Sequence, residues 1–243
     1  MQLIKSAALV SVIILGAVAG CSSTTTVVTT DGGGPTDGGV KADAKADTGT
    51  PTDGSVAACT PQDVSAFKPD AIVPPATKAG ACTTQNASDF FDFCIDPGDT
   101  TKCTAMTKDT TLAACLKCLT TPETATAWGA LIEDANNLIR NNIAGCLQVK
   151  GDAACAKAVE EDTQCAHAAC PDTVCPVPSG DKAALTALNA CLTKAGTTVC
   201  KTYHTAAACL NGDSGAVTAC VGAGNTFKDT YVAVANAICV AGK

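Results

Sequence analysis

Aromatic side chains are scarce in this chain. Phe, Tyr and Trp make up 3% of its 243 residues, as one Trp, two Tyr and five Phe, with two Met and two His besides. A core drawn from this supply cannot rely on large rings or on pliable thioethers to fill space. Histidine chemistry is restricted to whatever His167 and His204 can do. Positive charge is also short: sixteen Lys and Arg stand against twenty-three Asp and Glu, for a net charge of −7. Scattered lysines in an acidic chain do not form the cationic track that polyphosphate needs, so nucleic acid is excluded as a partner. No apolar run reaches the roughly 20 residues of a spanning helix; the run from Ser6 to Ala19 falls short of it. G-x-S-x-G, H-E-x-x-H, Walker and dinucleotide motifs are all missing, so no cofactor or metal is expected on their account.

What the chain has instead is cysteine, seventeen in all. The first, Cys21, ends the run Val18-Ala19-Gly20-Cys21, which closes an apolar stretch beginning after Lys5. One basic residue, a short apolar segment and small residues at the cut are the parts of an export signal. With a cysteine at the end, the segment resembles the lipobox of bacterial lipoprotein signal peptides. The resemblance implies that residues 1–20 are removed, that Cys21 carries diacylglyceryl and acyl (palmitate-like) chains, and that the mature protein is anchored in the cell envelope. Two chains suffice for stable anchoring. Ser22 in place of an aspartate after the cysteine implies the outer membrane. Loss of Lys5 with the leader makes the mature chain one charge more negative.

Residues 21–58 hold the lipidated cysteine and a low-complexity segment. Thr24-Thr25-Thr26 gives way to Asp31-Gly32-Gly33-Gly34-Pro35, an Ala/Asp/Lys stretch and Thr50-Pro51-Thr52-Asp53-Gly54. With almost no large apolar residue, it cannot bury enough surface to offset its ordering entropy. It is expected to be a disordered Thr/Gly/Asp/Pro linker holding the domain roughly 35 Å from the lipid on average. Its aspartates lack the spacing and distal Glu of a calcium loop.

The other sixteen cysteines all fall in residues 59–243. Such density in an exported domain signals a disulfide scaffold, whose crosslinks replace packing that the core lacks. The pattern reads as helix throughout. Trp128, Leu131, Ile132, Ala135, Leu138, Ile139, Ile143, Cys146 and Leu147 recur at steps of three and four after Thr121-Pro122, which predicts one long amphipathic helix. Shorter helices are expected around Phe90–Ile95, between Cys155 and Cys170, from Ala184 to Ala195 and from Phe227 to Ile238. A C-x8-C spacing repeats at Cys94/Cys103, Cys146/Cys155 and Cys191/Cys200, each with a turn signal near its middle: Pro97-Gly98, Gly151 and Gly196. Residues equidistant from a turn lie at equal height in an antiparallel pair, so these three pairs are the predicted disulfides. The expected fold is all-α: disulfide-stapled helical hairpins forming a bundle or short helical array. The remaining ten cysteines allow too many connectivities to assign.

Candidate chemistry is thin. Cys115-Leu116-Lys117-Cys118 is a CxxC, the spacing of a thiol–disulfide oxidoreductase, but it lacks the βαβ context, and two cysteines on one helix also serve to reach two separate partners. Leu119 after Cys118 rules out haem attachment. His167, between Cys165 and Cys170, has the look of a metal cluster, yet residues 165 and 167 face different sides of a helix. His204, beside Tyr203, has no Ser or Asp partner at a recognisable spacing. Glu160-Glu161-Asp162 reads as a solvated helix face.

Lipobox, stalk and Ala-rich cysteine-dense domain together resemble the cysteine-rich lipoproteins of myxobacteria and related bacteria with two membranes. That resemblance implies no catalytic residues. The expected function is a membrane-anchored extracytoplasmic lipoprotein with a non-catalytic binding or structural role towards an unidentified protein or ligand. The alternatives are an oxidoreductase using Cys115 and Cys118 and a disulfide-scaffold inhibitor module.

Overall fold

Short polar side chains mark where the helices begin. In the computed structural model, which describes residues 14–15, 59–95, 99–134, 137–178, 181–212, 214–224 and 226–241, Thr83 accepts from the Asn86 amide while Asn86 returns a bond to the Thr83 amide, and this capping box opens α1 (Thr84–Phe90). A turn of π-helix, Phe91–Ile95, extends it. Asp99 caps α2 (Thr100–Lys108), and a 3-10 turn at Thr110–Leu112 leads into α3 (Ala113–Leu119). Asn142 caps α4 (Ile143–Val149), Asp152 caps α5 (Ala153–Ala169) and Asp181 caps α6 (Lys182–Thr197). α7 (Lys201–Ala206) runs into a 3-10 turn at Ala207–Asn211. Ser214 caps α8 (Gly215–Val221), and Thr226 caps α9 (Phe227–Ala235), which ends in a second π-turn at Asn236–Val240. Each cap satisfies an amide that the helix itself leaves unpaired. Among the described residues no helix is long and apolar enough to cross a membrane.

The protein is mostly helical but not all-α. The long helix expected after Pro122 does not form. In its place stand β2 (Thr120–Pro122), β3 (Leu131–Glu133) and β4 (Leu138–Asn141), joined by β1 (Ile14–Leu15) in a sheet of order β1-β4-β3-β2. β2 and β3 are parallel, and the other pairings are antiparallel. The physical reason is local. The Gly129 backbone passes so close to α3 that a Cβ there would lie 2.2 Å from the Cys118 carbonyl oxygen, and the Ala130 amide donates to that same oxygen. Between β3 and β4, Asn137 adopts φ +60°, and the Leu138 amide donates to the Asp134 side chain, which makes a hairpin turn of the kind Asn and Asp favour. Leu131, Ile132, Leu138 and Ile139 are all buried. Strands buried on both faces show no alternation in sequence, which is why they read as a helix.

Two apolar clusters fill the region from residue 59 onward. The larger lies among α1, α3, α4, α8, α9 and the last π-turn. Tyr231, Val234, Ala235 and Ile238 line up along its final helix, all fully buried, as the periodicity predicts. The Tyr231 ring packs on Phe91 with centroids 5.6 Å apart, and burial raises the pKa of its hydroxyl far above the ordinary value, so it stays protonated. The smaller cluster joins the end of α5, α6 and the loop 171–178 to Cys59, Val64, Phe67 and Tyr203. Ala, Val and half-cystine supply much of both.

Candidate functional site

Every cysteine from Cys59 to Cys239 is half of a disulfide. The eight pairs are Cys59–Cys175, Cys82–Cys115, Cys94–Cys103, Cys118–Cys239, Cys146–Cys220, Cys155–Cys209, Cys165–Cys200 and Cys170–Cys191. Cys94 and Cys103 close the short loop between the first π-turn and α2. The expected Cys146–Cys155 and Cys191–Cys200 links are replaced. Cys146 reaches α8 and Cys155 the turn after α7, while Cys191 and Cys200 both reach back to α5 and its C-terminal residue. Distance from a turn sets height along a helix pair but not the direction a side chain faces, which rotates about 100° per residue. Gly196 also lies inside α6 rather than in the turn, which falls at residues 198–200. Apart from Cys94–Cys103, the crosslinks therefore tie separate segments together instead of closing one hairpin each.

Cys115 and Cys118 are not bonded to each other. One joins Cys82 and the other Cys239, and both are buried on α3. Their spacing serves two partners. Cys21 lies outside the described residues, as do the stalk and the Pro97-Gly98 turn.

The acidic run 160–162 is not a solvated face. Its three members point to three different partners. Glu160 is 1% exposed and receives the Arg140 guanidinium at 3.4 and 3.5 Å. Glu161 pairs with Lys157 at 2.8 Å, and Asp162 meets His204 Nδ1 at 3.0 Å. Arg140 is the single arginine of the chain, and it lies over the single tryptophan, Trp128, with its guanidinium carbon 4.8 Å from the ring centroid. Glu123 stands 4.0 Å from the same guanidinium, and Gln164 donates to Glu160 at 3.3 Å. A planar cation that stacks and forks is work lysine cannot do. An isolated Arg in a lysine-using chain was the available signal for this cluster.

His167, one turn beyond Gln164, shares a small hollow with Arg140, Glu123, Ile132, Asp134, Leu138 and Ile139. Its volume of about 10 Å³ has room for roughly one water. Burial first, and Arg140 second, push the His167 imidazole down to about 4, against an opposing pull from Asp172. His204 has the acidic partner that the sequence did not reveal, because Asp162 is 42 positions away. Gly196 makes room for the ring: a Cβ there would sit 3.0 Å from His204 Nδ1.

An apolar recess of about 190 Å³ is lined by Cys59, Val174, Cys175, Pro176, Pro178, Asp181, Ala184 and Ala187. Sulfur atoms of Cys59, Cys175 and Cys191 lie within 4.8 Å of one another beside it. Bound in disulfides, they do not offer the thiolates that a metal requires. Comparison with protein-family models, curated proteins and solved structures finds no match to this chain.

Proposed function

We propose that the chain is a lipid-anchored extracytoplasmic protein whose crosslinked domain binds a partner or reinforces the envelope without catalysing a reaction. The observation that carries this reading is the full set of eight disulfides. Sixteen cysteines paired within one domain suit an oxidising compartment and not a reducing cytosol. The leader ending at Cys21 supplies the matching address, and its removal would take β1 (Ile14–Leu15) with it and leave β2, β3 and β4 as the sheet of the mature protein. The thiols that a redox enzyme would use at Cys115 and Cys118 are engaged in bonds to two distant segments. Two of the acidic groups of α5, Glu160 and Asp162, are engaged in holding β4 and α7.

Fractionation of cells expressing the wild-type chain and Cys21→Ala tests the anchor. Wild type is expected in the membrane fraction and the variant in the soluble extracytoplasmic fraction. A Cys21→Ala chain that still sediments with membranes overturns the assignment. Alkylation of the natively produced protein tests the rest: two reactive thiols at Cys115 and Cys118 would restore the oxidoreductase reading.

A further inference from the structure

The Cys59–Cys175 and Cys170–Cys191 disulfides meet at one end of the domain. Three of their four sulfurs, those of Cys59, Cys175 and Cys191, lie within 4.8 Å of one another, the one such group of three among the described residues. Cys59 is half-buried, whereas Cys175 and Cys191 are 3% and 1% exposed. Cys59 and Cys175 also line the apolar recess, so that disulfide faces open space, whereas Cys191 is buried and outside the recess lining. Thiol–disulfide exchange needs a thiolate within reach of a disulfide sulfur and access for the first attacker. This corner gives access at Cys59, and opening Cys59–Cys175 would place a Cys175 thiolate within 4.8 Å of Cys191 Sγ.

We propose that it is a sulfur-exchange site for a dithiol reductant, in which reduction of Cys59–Cys175 is passed through Cys191 to Cys170. A thiolate of the dithiol attacks Cys59 Sγ, the accessible sulfur. The Cys59–Cys175 bond breaks, a mixed disulfide forms on Cys59, and the electron pair leaves on Cys175. The second thiol of the reductant then attacks its own sulfur in the mixed disulfide. Cys59 departs as a thiolate and takes up a proton, and the reductant leaves as a disulfide, two electrons having passed to the protein. The Cys175 thiolate next attacks Cys191 Sγ. The Cys175–Cys191 bond forms, the Cys170–Cys191 bond breaks, and the pair leaves on Cys170, which is protonated from water. This last step moves no net electrons. The tie to α6 moves from Cys170 at the end of α5 to Cys175 in the loop 171–178, while Cys59 loses its crosslink to the domain. The site would therefore couple the redox state of its surroundings to the covalent attachment of the segment that enters the domain at residue 59.

The test treats the oxidised full-length chain with limiting dithiothreitol, quenches with N-ethylmaleimide and maps peptides without further reduction. The expected result is label on Cys59 and Cys170 with a new Cys175–Cys191 crosslink. Label on Cys59 and Cys175 with Cys170–Cys191 intact would show simple reduction without exchange and overturn the proposal. So would first labelling at any other disulfide with Cys59–Cys175 retained. A Cys170→Ala/Cys191→Ala chain removes the relay, and its label is expected on Cys59 and Cys175. If that chain does not fold, the map of the unaltered protein decides alone.

Discussion

Arg140 shows how one side chain can be held by several weak partners at once. Its guanidinium forks onto buried Glu160, lies on Trp128 and approaches Glu123. Breaking a buried pair on one side strands the other charge, at about 3 kcal/mol or more, whereas replacing both with apolar residues of similar bulk is often near neutral. Arg140→Ala is therefore expected to lower stability by about 3 kcal/mol in urea denaturation, and Arg140→Met/Glu160→Met to recover most of that loss. Equal losses in the two variants would show that Glu160 is not stranded. His167, in the adjoining hollow, carries the pH dependence. Folded, it stays neutral down to about 4, while the unfolded chain binds a proton below about 6.5. Its effect on stability is absent above that point, grows as pH falls and levels off below about 4. Between pH 7 and 5, where most carboxylates remain ionised, the wild type is expected to lose about 2 kcal/mol more than His167→Gln. Matching urea midpoints for the two chains at both pH values would remove the effect. The isolated arginine was visible in the sequence. Its partner was not, because Glu160 reads like any other acid of the run 160–162 until α5 is laid against β4.

At the scale of elements, periodicity made helices legible: the Phe227–Ile238 spacing matches a buried face. The segment 120–141 was illegible for a definite reason: three-and-four spacing among Trp128, Leu131, Ile132, Leu138 and Ile139 is shared by an amphipathic helix and by short strands covered on both faces. The deciding residues were small ones. Gly129 lets β3 begin against the end of α3, and Asn137 turns β3 into β4. Gly129→Ala places a methyl group against the Cys118 carbonyl. It should destabilise the domain by about 3 kcal/mol, read from its denaturation midpoint. An unchanged midpoint would mean that the strand can shift aside.

For the whole molecule, cysteine density announced a crosslinked scaffold, but the connectivity had to wait for the packing of helices. Only Cys94–Cys103 joins neighbours in a short loop. The others span 21 to 121 positions. In the chain-entropy model a loop of nine residues is worth about 2.6 kcal/mol and one of 121 about 5 kcal/mol. Cys118→Ala/Cys239→Ala is accordingly expected to lower the thermal midpoint more than Cys94→Ala/Cys103→Ala. The reverse order in calorimetry would assign stability to local strain relief and not to loop closure.

The two longest spans also overlap. One runs from Cys59 to Cys175 and the other from Cys118 to Cys239. A single peptide bond hydrolysed anywhere between residues 59 and 239 is bridged by at least one of them. A protease that nicks the chain once between Cys59 and Cys239 therefore liberates no fragment: the nicked chain keeps its full mass on a non-reducing gel and divides only after reduction. One scission ahead of Cys59 meets no such bridge and would part the whole domain from everything before the cut.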